Sequence, residues 1–300
     1  MLSRRSGSIL KLFPKSFLPK RFRKAKAVVP VIRLYGPIGV SFPSQGSLSL
    51  AGLAGQFEAA FEVKDAKAVA LVIRSPGGAA AQSHLIFQRI RALATEKDLK
   101  VFAFIEDVGA SGGYMLACAA DEIFADPSSI VGSIGVVSAG FGLTGLIEKL
   151  GIERRVYAAG TSKAMLDPFM PEKPDDVVRL RSLQADVHES FIDLVKTRRG
   201  ARLGSGDEDL FNGAFWTGRR AVDLGLVDGL GDVRSVMRER FGEDVDLRLV
   251  SPPARGGLLR YLVPGLSVPD AALPSAGVLF NTAEILATAE ARALWARYGL

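Results

Sequence analysis

The sequence is poor in the residues that thiol and metal chemistry usually employ. Its 300 residues include one cysteine and two histidines. A lone cysteine, Cys118, cannot close an internal disulfide, so it leaves the redox compartment open, and a reducing one is compatible. It lies in the apolar run Met115–Ala120, which predicts a small buried thiol with a packing role. His84 and His188 are far apart, and neither belongs to a His/Cys/carboxylate cluster with ligand spacing. No metal and no other cofactor are therefore expected. The phosphate-binding pattern Gly-x4-Gly-Lys-Ser/Thr is also missing, so any ATP-driven unfolding partner would be a separate chain.

Long apolar runs are scarce too. Three stretches, 34–57, 127–147 and 261–283, carry little or no charge, but Gly, Pro or Ser interrupts each of them. None reads as a membrane span. Acidic residues are absent from positions 1–26, which hold nine basic ones. The rest of the chain has 29 basic against 32 acidic residues, so the basicity is a local arm. That excludes a nucleic-acid-binding face spread over the fold. Ile9, Leu10, Leu12, Phe13, Phe17, Leu18 and Phe22 interleave with the charges. Such a mixture suits either a solvated tail or peripheral contact with an anionic membrane surface. The arm lacks the unbroken apolar stretch and small-residue cleavage site of a secretory signal. The expected location is cytoplasmic, with the arm able to rest on the inner face of the membrane.

What remains is ordinary globular composition, 48% hydrophobic and 23% charged. Three parts are expected: the arm 1–26, a main domain over 27–250, and an extension over 251–300. Apolar runs at Ala27–Leu34, Ala68–Ile73 and Val101–Ile105 read as buried strands, with shorter ones at Glu122–Ala125 and Ser129–Val137. Helices are expected at Leu48–Val63, His84–Leu93, Ser111–Ala120, Gly142–Leu150, Arg219–Leu224, Val233–Arg240 and Glu284–Tyr298. Arg154–Ala159 reads as extended. Asp175–Arg199 reads as one long amphipathic helix between Pro174 and Gly200. Strands alternating with helices predict an α/β fold with a parallel sheet.

Two glycine-rich turns follow apolar strands. They are Ser75-Pro76-Gly77-Gly78 and Gly109-Ala110-Ser111-Gly112-Gly113. The second puts a serine where a strand enters a helix, beside unpaired backbone N–H groups that can hold an oxyanion. The first can supply another N–H, from Gly77 or Gly78. Either turn alone could be a packing device. A nucleophilic serine also needs a base. A His84–Asp107–Ser111 triad is conceivable, since triad order varies between folds, while His188 reads as an ordinary residue of the long helix. Lysine is the other choice, provided that a dry site holds it neutral. Lys163 has small, hydroxylic or apolar near neighbours, and the first acid is Asp167. On local composition alone it could equally be a surface lysine.

Leu71–Gly78, Ala110–Tyr114 and Gly132–Val136 together resemble the signature of the signal peptide peptidase A family, the S49 serine peptidases. Asp121–Ala125, Lys149–Ile152 and Gly225–Asp228 fit as well. The resemblance implies a ClpP/crotonase-like fold and a Ser–Lys dyad. Ser111 matches the nucleophile and Lys163 the base of single-length members. Those members usually have an acid directly after the lysine, where this chain has Ala164. Ser133 matches a serine that orients the lysine, and Gly78 and Gly112 match the oxyanion donors. The resemblance further implies remnant signal peptides or other unfolded apolar peptides as substrates. It implies a ring- or dome-like homo-oligomer in which serine and lysine come from neighbouring protomers. Two readings compete: a non-proteolytic assembly or binding protein with the same fold, and a crotonase-like enzyme acting on acyl-CoA.

Overall fold

The computed structural model describes residues 26–39, 47–204, 210–251, 293 and 295–299. The apolar runs become strands β1 (Val28–Tyr35), β2 (Val69–Ser75), β3 (Val101–Ala110), β4 (Glu122–Ala125) and β5 (Ile130–Gly132). Between them lie α1 (Leu50–Phe61), α2 (Ala80–Lys97) and α3 (Gly112–Ala117). Beyond β5 come α4 (Thr144–Lys149), α5 (Pro174–Arg199), β6 (Phe215–Thr217), α6 (Gly218–Asp223), β7 (Gly229–Leu230), α7 (Val233–Phe241) and β8 (Asp246–Leu249).

One eight-stranded sheet runs in the order β6-β5-β3-β2-β1-β8, with β4 pairing β3 and β7. The ladders are parallel except β5 with β6. This is the α/β class expected from the alternation of strands and helices. β3 is the longest strand and its outer edge is shared. Phe102–Ile105 pairs β4, and Val108–Ala110 pairs β5. Two short strands thus split one edge, and β5 ends level with the start of α3.

Both faces of the sheet are covered, so its central strands are continuous apolar runs. On one face Ile32, Leu71, Ile73, Ala103 and Ile105 pack with Phe57 of α1, Ile86 and Ile90 of α2, Tyr114 and Leu116 of α3, and Phe191 and Val195 of α5. On the other, Val29, Val31, Val72, Phe102 and Phe104 meet Val236 and Met237 of α7. Several residues of the family-like motifs serve this packing. Tyr114 donates to the Leu226 carbonyl at 2.7 Å. Asp228 accepts from the Ile123 N–H at 2.7 Å and pairs with the guanidinium of buried Arg199 at 2.8 Å. Cys118 is fully buried, and burial pushes its thiol up to about 12. An inert packing thiol is thus what the structure has.

One expectation needs correction. The strand foreseen over Ser129–Val137 stops at Gly132, because Gly132 and Ser133 both take positive φ, 107° and 53°, and turn the chain out of the ladder. Arg154–Ala159, expected to be extended, is exposed, has no helix and pairs with no strand among the described residues. β6, β7 and β8 were not foreseen. Most of the expected arm 1–26, the extension 251–300 and the helix Glu284–Tyr298 lies outside the described residues.

Candidate active site

Ser111 stands between β3 and α3, with φ 52° and ψ −123°. Few residues with a side chain adopt that geometry. It costs of order 1–3 kcal/mol, and such costs gather at functional sites. The turn persists because its surroundings fix it. The Ser111 N–H donates to the Gly132 carbonyl at 2.8 Å, and the Ser111 carbonyl accepts from Tyr114 and Met115 at 3.0 Å each. The hydroxyl has no hydrogen-bond partner among the described residues, and Ser111 is half-buried.

The first glycine turn lies directly against this one. A methyl group on Gly77 would come within 2.8 Å of both Gly112 N and Ser111 Cβ. On Gly112 it would come within 2.3 Å of Ser83 Oγ, and on Gly113 within 2.4 Å of the Ser75 carbonyl oxygen. The turns can meet only because these positions lack side chains. Their N–H groups differ in availability. Gly77 N–H donates to Ser75 Oγ at 3.2 Å. Residue 38 bridges the turn through the Gly77 carbonyl and the Ala79 N–H, at 2.9 and 2.8 Å. That parallel bridge turns the Gly78 N–H to the opposite side. Gly78 N–H and Gly112 N–H have no acceptor among the described residues. Of the two glycines offered by the sequence, Gly78 is thus the one whose donor has no partner among the described residues.

Ser133 is buried, 3% exposed, one residue beyond the carbonyl that holds Ser111. Its N–H donates to the Ala214 carbonyl at 2.7 Å. His188 of α5 lies 3.2 Å from the Ile134 carbonyl through Nε2. The Ser133 loop is therefore held from both sides. Sequence spacing offered no sign of the His188 contact, which joins residues 54 positions apart.

Ser111, Ser133, Gly77, Gly78 and Gly112 are thus brought together. Lys163 is not. It is exposed, in a turn within the segment between β5 and α5, and its side chain has no hydrogen bond or ion pair among the described residues. The alternative triad does not form either. His84 is exposed and stacks on Phe87, while Asp107 pairs with Arg74 at 2.6 Å. Among the described residues no group of three or more His, Cys, Asp or Glu could hold a metal ion, and no helix is long and apolar enough to cross a membrane.

Comparison with known proteins places the chain. The model of Peptidase family S49 matches residues 94–246, which include Ser111, Ser133 and Lys163. The Na(+)/H(+) antiporter NhaA of Brucella abortus is 52% identical over 288 residues, 95% of this chain and 39% of that longer one. The name it carries therefore refers to a protein of which this chain spans less than half. The serine protease SPPA, chloroplastic, of Arabidopsis thaliana is 36% identical over 171 residues, 57% of this chain and 25% of that one. Among solved structures, a 1510-N membrane-bound stomatin-specific protease covers 80% of this chain and 99% of its own, with a TM-score of 0.49 and 16% identity. The family match spans just over half of the sequence and takes in the whole Ser111 turn: the chain belongs to Peptidase family S49.

Proposed function

We propose that the protein is a serine endopeptidase in which Ser111 attacks the peptide carbonyl and Lys163 of a neighbouring copy is the base. The observation that carries this is the Ser111 turn: a strained serine at a helix start, its hydroxyl and the N–H groups of Gly78 and Gly112 beside it without a partner among the described residues. Neutral Lys163 takes the Ser111 proton, and the alkoxide adds to the carbonyl. The oxyanion accepts from Gly78 and Gly112 N–H, which strengthen as negative charge develops. The protonated lysine then gives its proton to the departing amine, leaving an acyl-enzyme. Water, deprotonated by the same lysine, hydrolyses it. Ser133 would orient the amine.

Supply of the lysine by a second copy is supported by the segment that bears it. Val137, Phe141, Leu146, Leu150, Ile152 and Tyr157 are all exposed there, Tyr157 at 92%. Apolar side chains unburied over such a length are the mark of an interface. Assembly would also withdraw the lysine from water, as a base of this type requires. Family membership supports remnant signal peptides or other unfolded apolar peptides as substrates. The basic arm 1–26 would let a cytoplasmic enzyme rest on the inner face of an anionic membrane, where such peptides collect.

The test is hydrolysis of fluorogenic apolar peptides by wild type, Ser111→Ala and Lys163→Ala, with assembly size followed by light scattering. Each variant should assemble normally and lose activity by at least about a thousandfold. Refolded as a one-to-one mixture, the two inactive variants should recover about a quarter of wild-type activity, since random mixing leaves that share of interfaces with both groups intact. An assembled but inert wild type would favour the non-proteolytic reading. Activity retained in Lys163→Ala would remove the lysine from the mechanism.

A further inference from the structure

Residues 295–299 lie outside the matched span 94–246, yet they reach the site. Tyr298 is 8% exposed and packs with Val108 and Ala110 of β3, with partly buried Ile130 of β5 alongside. Phe215 meets it edge-on, 5.2 Å between centroids at 72°. Three positions earlier, Trp295 lies 5.7 Å from the Arg74 guanidinium. This part of β3 lies beyond the reach of α7, so Tyr298 completes the cover of that face.

The ring is ordinary packing, but its hydroxyl is not. It lies 3.2 Å from Ser133 Oγ and 3.5 Å from the Pro76 carbonyl oxygen. Pro76 precedes Gly77, and Ser133 follows Gly132, whose carbonyl holds the Ser111 N–H. The phenol thus joins the two loops on either side of the nucleophile. A phenol has one proton to give, and the Ser133 contact is the shorter. Ser133 Oγ has no other partner among the described residues. If it accepts from Tyr298, its own proton is left for another acceptor. A hydroxyl held in that sense donates to an approaching amine, and an amine can accept only in its neutral form.

We infer that Tyr298 is a positioning residue for the reaction, fixing through its hydroxyl the Ser133 side chain as a hydrogen-bond donor toward the lysine base. This rests on the reading of Ser111 and Lys163 given above. Tyr298 touches neither substrate nor reacting atoms, and it acts through Ser133.

Tyr298→Phe is the test, because it keeps the ring and its packing and removes only the hydroxyl. The measurements are kcat and KM for an apolar peptide, the pH profile of kcat/KM, and the melting temperature. The expected result is a fall in kcat of about fivefold to tenfold, the loss of one hydrogen bond. KM should be unchanged, and the limb where activity rises with pH should move to higher pH, because the neutral amine has lost support. Ser133→Ala should give the same shift, and Tyr298→Phe in the Ser133→Ala background should add nothing. A purely structural tyrosine would lower the melting temperature and leave the limb in place, which overturns the inference. A gain in activity would also overturn it, marking the segment as an occluding one. If wild type is active and Ser111→Ala inert, an unchanged Tyr298→Phe removes this inference alone. An inert wild type removes the reading beneath it as well.

Discussion

Residues 68–135 and residues 136–190 would each supply one half of the proposed chemistry, and they dispose of their apolar side chains in opposite ways. In the first, Ala68 through Ile73 and Val101 through Ile105 are all buried within the chain's own fold. In the second, Phe141 is 72% exposed, Leu150 63% and Val178 68%. α5 shows the change within one helix. Its late residues Phe191, Val195 and Arg199 are buried, whereas Val178, Leu183 and Val187 of its earlier turns are exposed. The proposed nucleophile thus sits where every neighbour is fixed by one chain. The lysine sits where the chain leaves its apolar surface uncovered. A rigid half and a half awaiting cover is the arrangement expected if the base becomes competent only on assembly.

Glycines sharpen this contrast most. Gly77 and Gly160 both have φ near 100°, but a methyl on Gly77 would meet Gly112 N at 2.8 Å, and one on Gly160 would meet nothing within 4 Å. Gly77→Ala should lower kcat by about a hundredfold or more, because the methyl group stands against the proposed oxyanion donor Gly112. Gly160→Ala should cost only backbone strain, about 1 kcal/mol. Equal losses of peptidase activity in the two would erase the distinction between the regions.

The next largest effect concerns the uncovered surface. Phe141→Asp combined with Tyr157→Glu should weaken self-association by about tenfold to a hundredfold, as for exposed anchors at an interface. The melting temperature of the dissociated chain should stay put, since neither side chain is buried within it. Sedimentation at several concentrations reads the first, and a thermal melt under dilute conditions the second. A lowered melt with unaltered association would show that this surface is part of the chain's own core.

The smallest effect lies in the packed region. Asp232 caps α7, its carboxylate accepting from the Arg234 and Ser235 N–H groups at 2.7 and 3.1 Å while Ser235 closes the capping box. Hydrogen bonding with Ser235 holds this carboxyl below the usual carboxylate range. Its contribution is therefore present in full above the unfolded value of about 3.9 and is lost as pH falls through the lower folded one. Asp232→Ala should cost about 1 kcal/mol at neutral pH. The difference from wild type should shrink in acid, followed by urea melts from pH 7 to pH 2.5.

How legible each part was follows from the same physics. β1 to β4 stood out because strands covered on both faces are unbroken apolar runs, and α5 because Pro174 and Gly200 bracket it. β8 did not, since Asp246 and Arg248 alternate with leucines on an edge strand of four residues. β6 and β7 are three and two residues long and carry no pattern at all. At the site, glycine spacing marked both turns. It could not show that the Gly77 N–H is already taken while that of Gly78 has no acceptor among the described residues, because that depends on Ser75 Oγ and on residue 38. The positive φ of Ser111 and Ser133 was invisible for a simpler reason: serine is not a residue that announces it. Tyr298 was beyond reach, lying 165 positions from Ser133.

The adjacency of β2 and β3 has a metric consequence. The two glycine turns leave neighbouring parallel strands, whose backbones run about 4.8 Å apart. An oxygen that accepts two bonds of about 2.9 Å, with the usual wide angle between them, needs donors separated by much the same distance. Strand spacing is among the least adjustable lengths in a protein. The proposed oxygen cradle, hung from two adjacent strands, would take its width from the sheet, so side chains around it could change while the gauge stays constant.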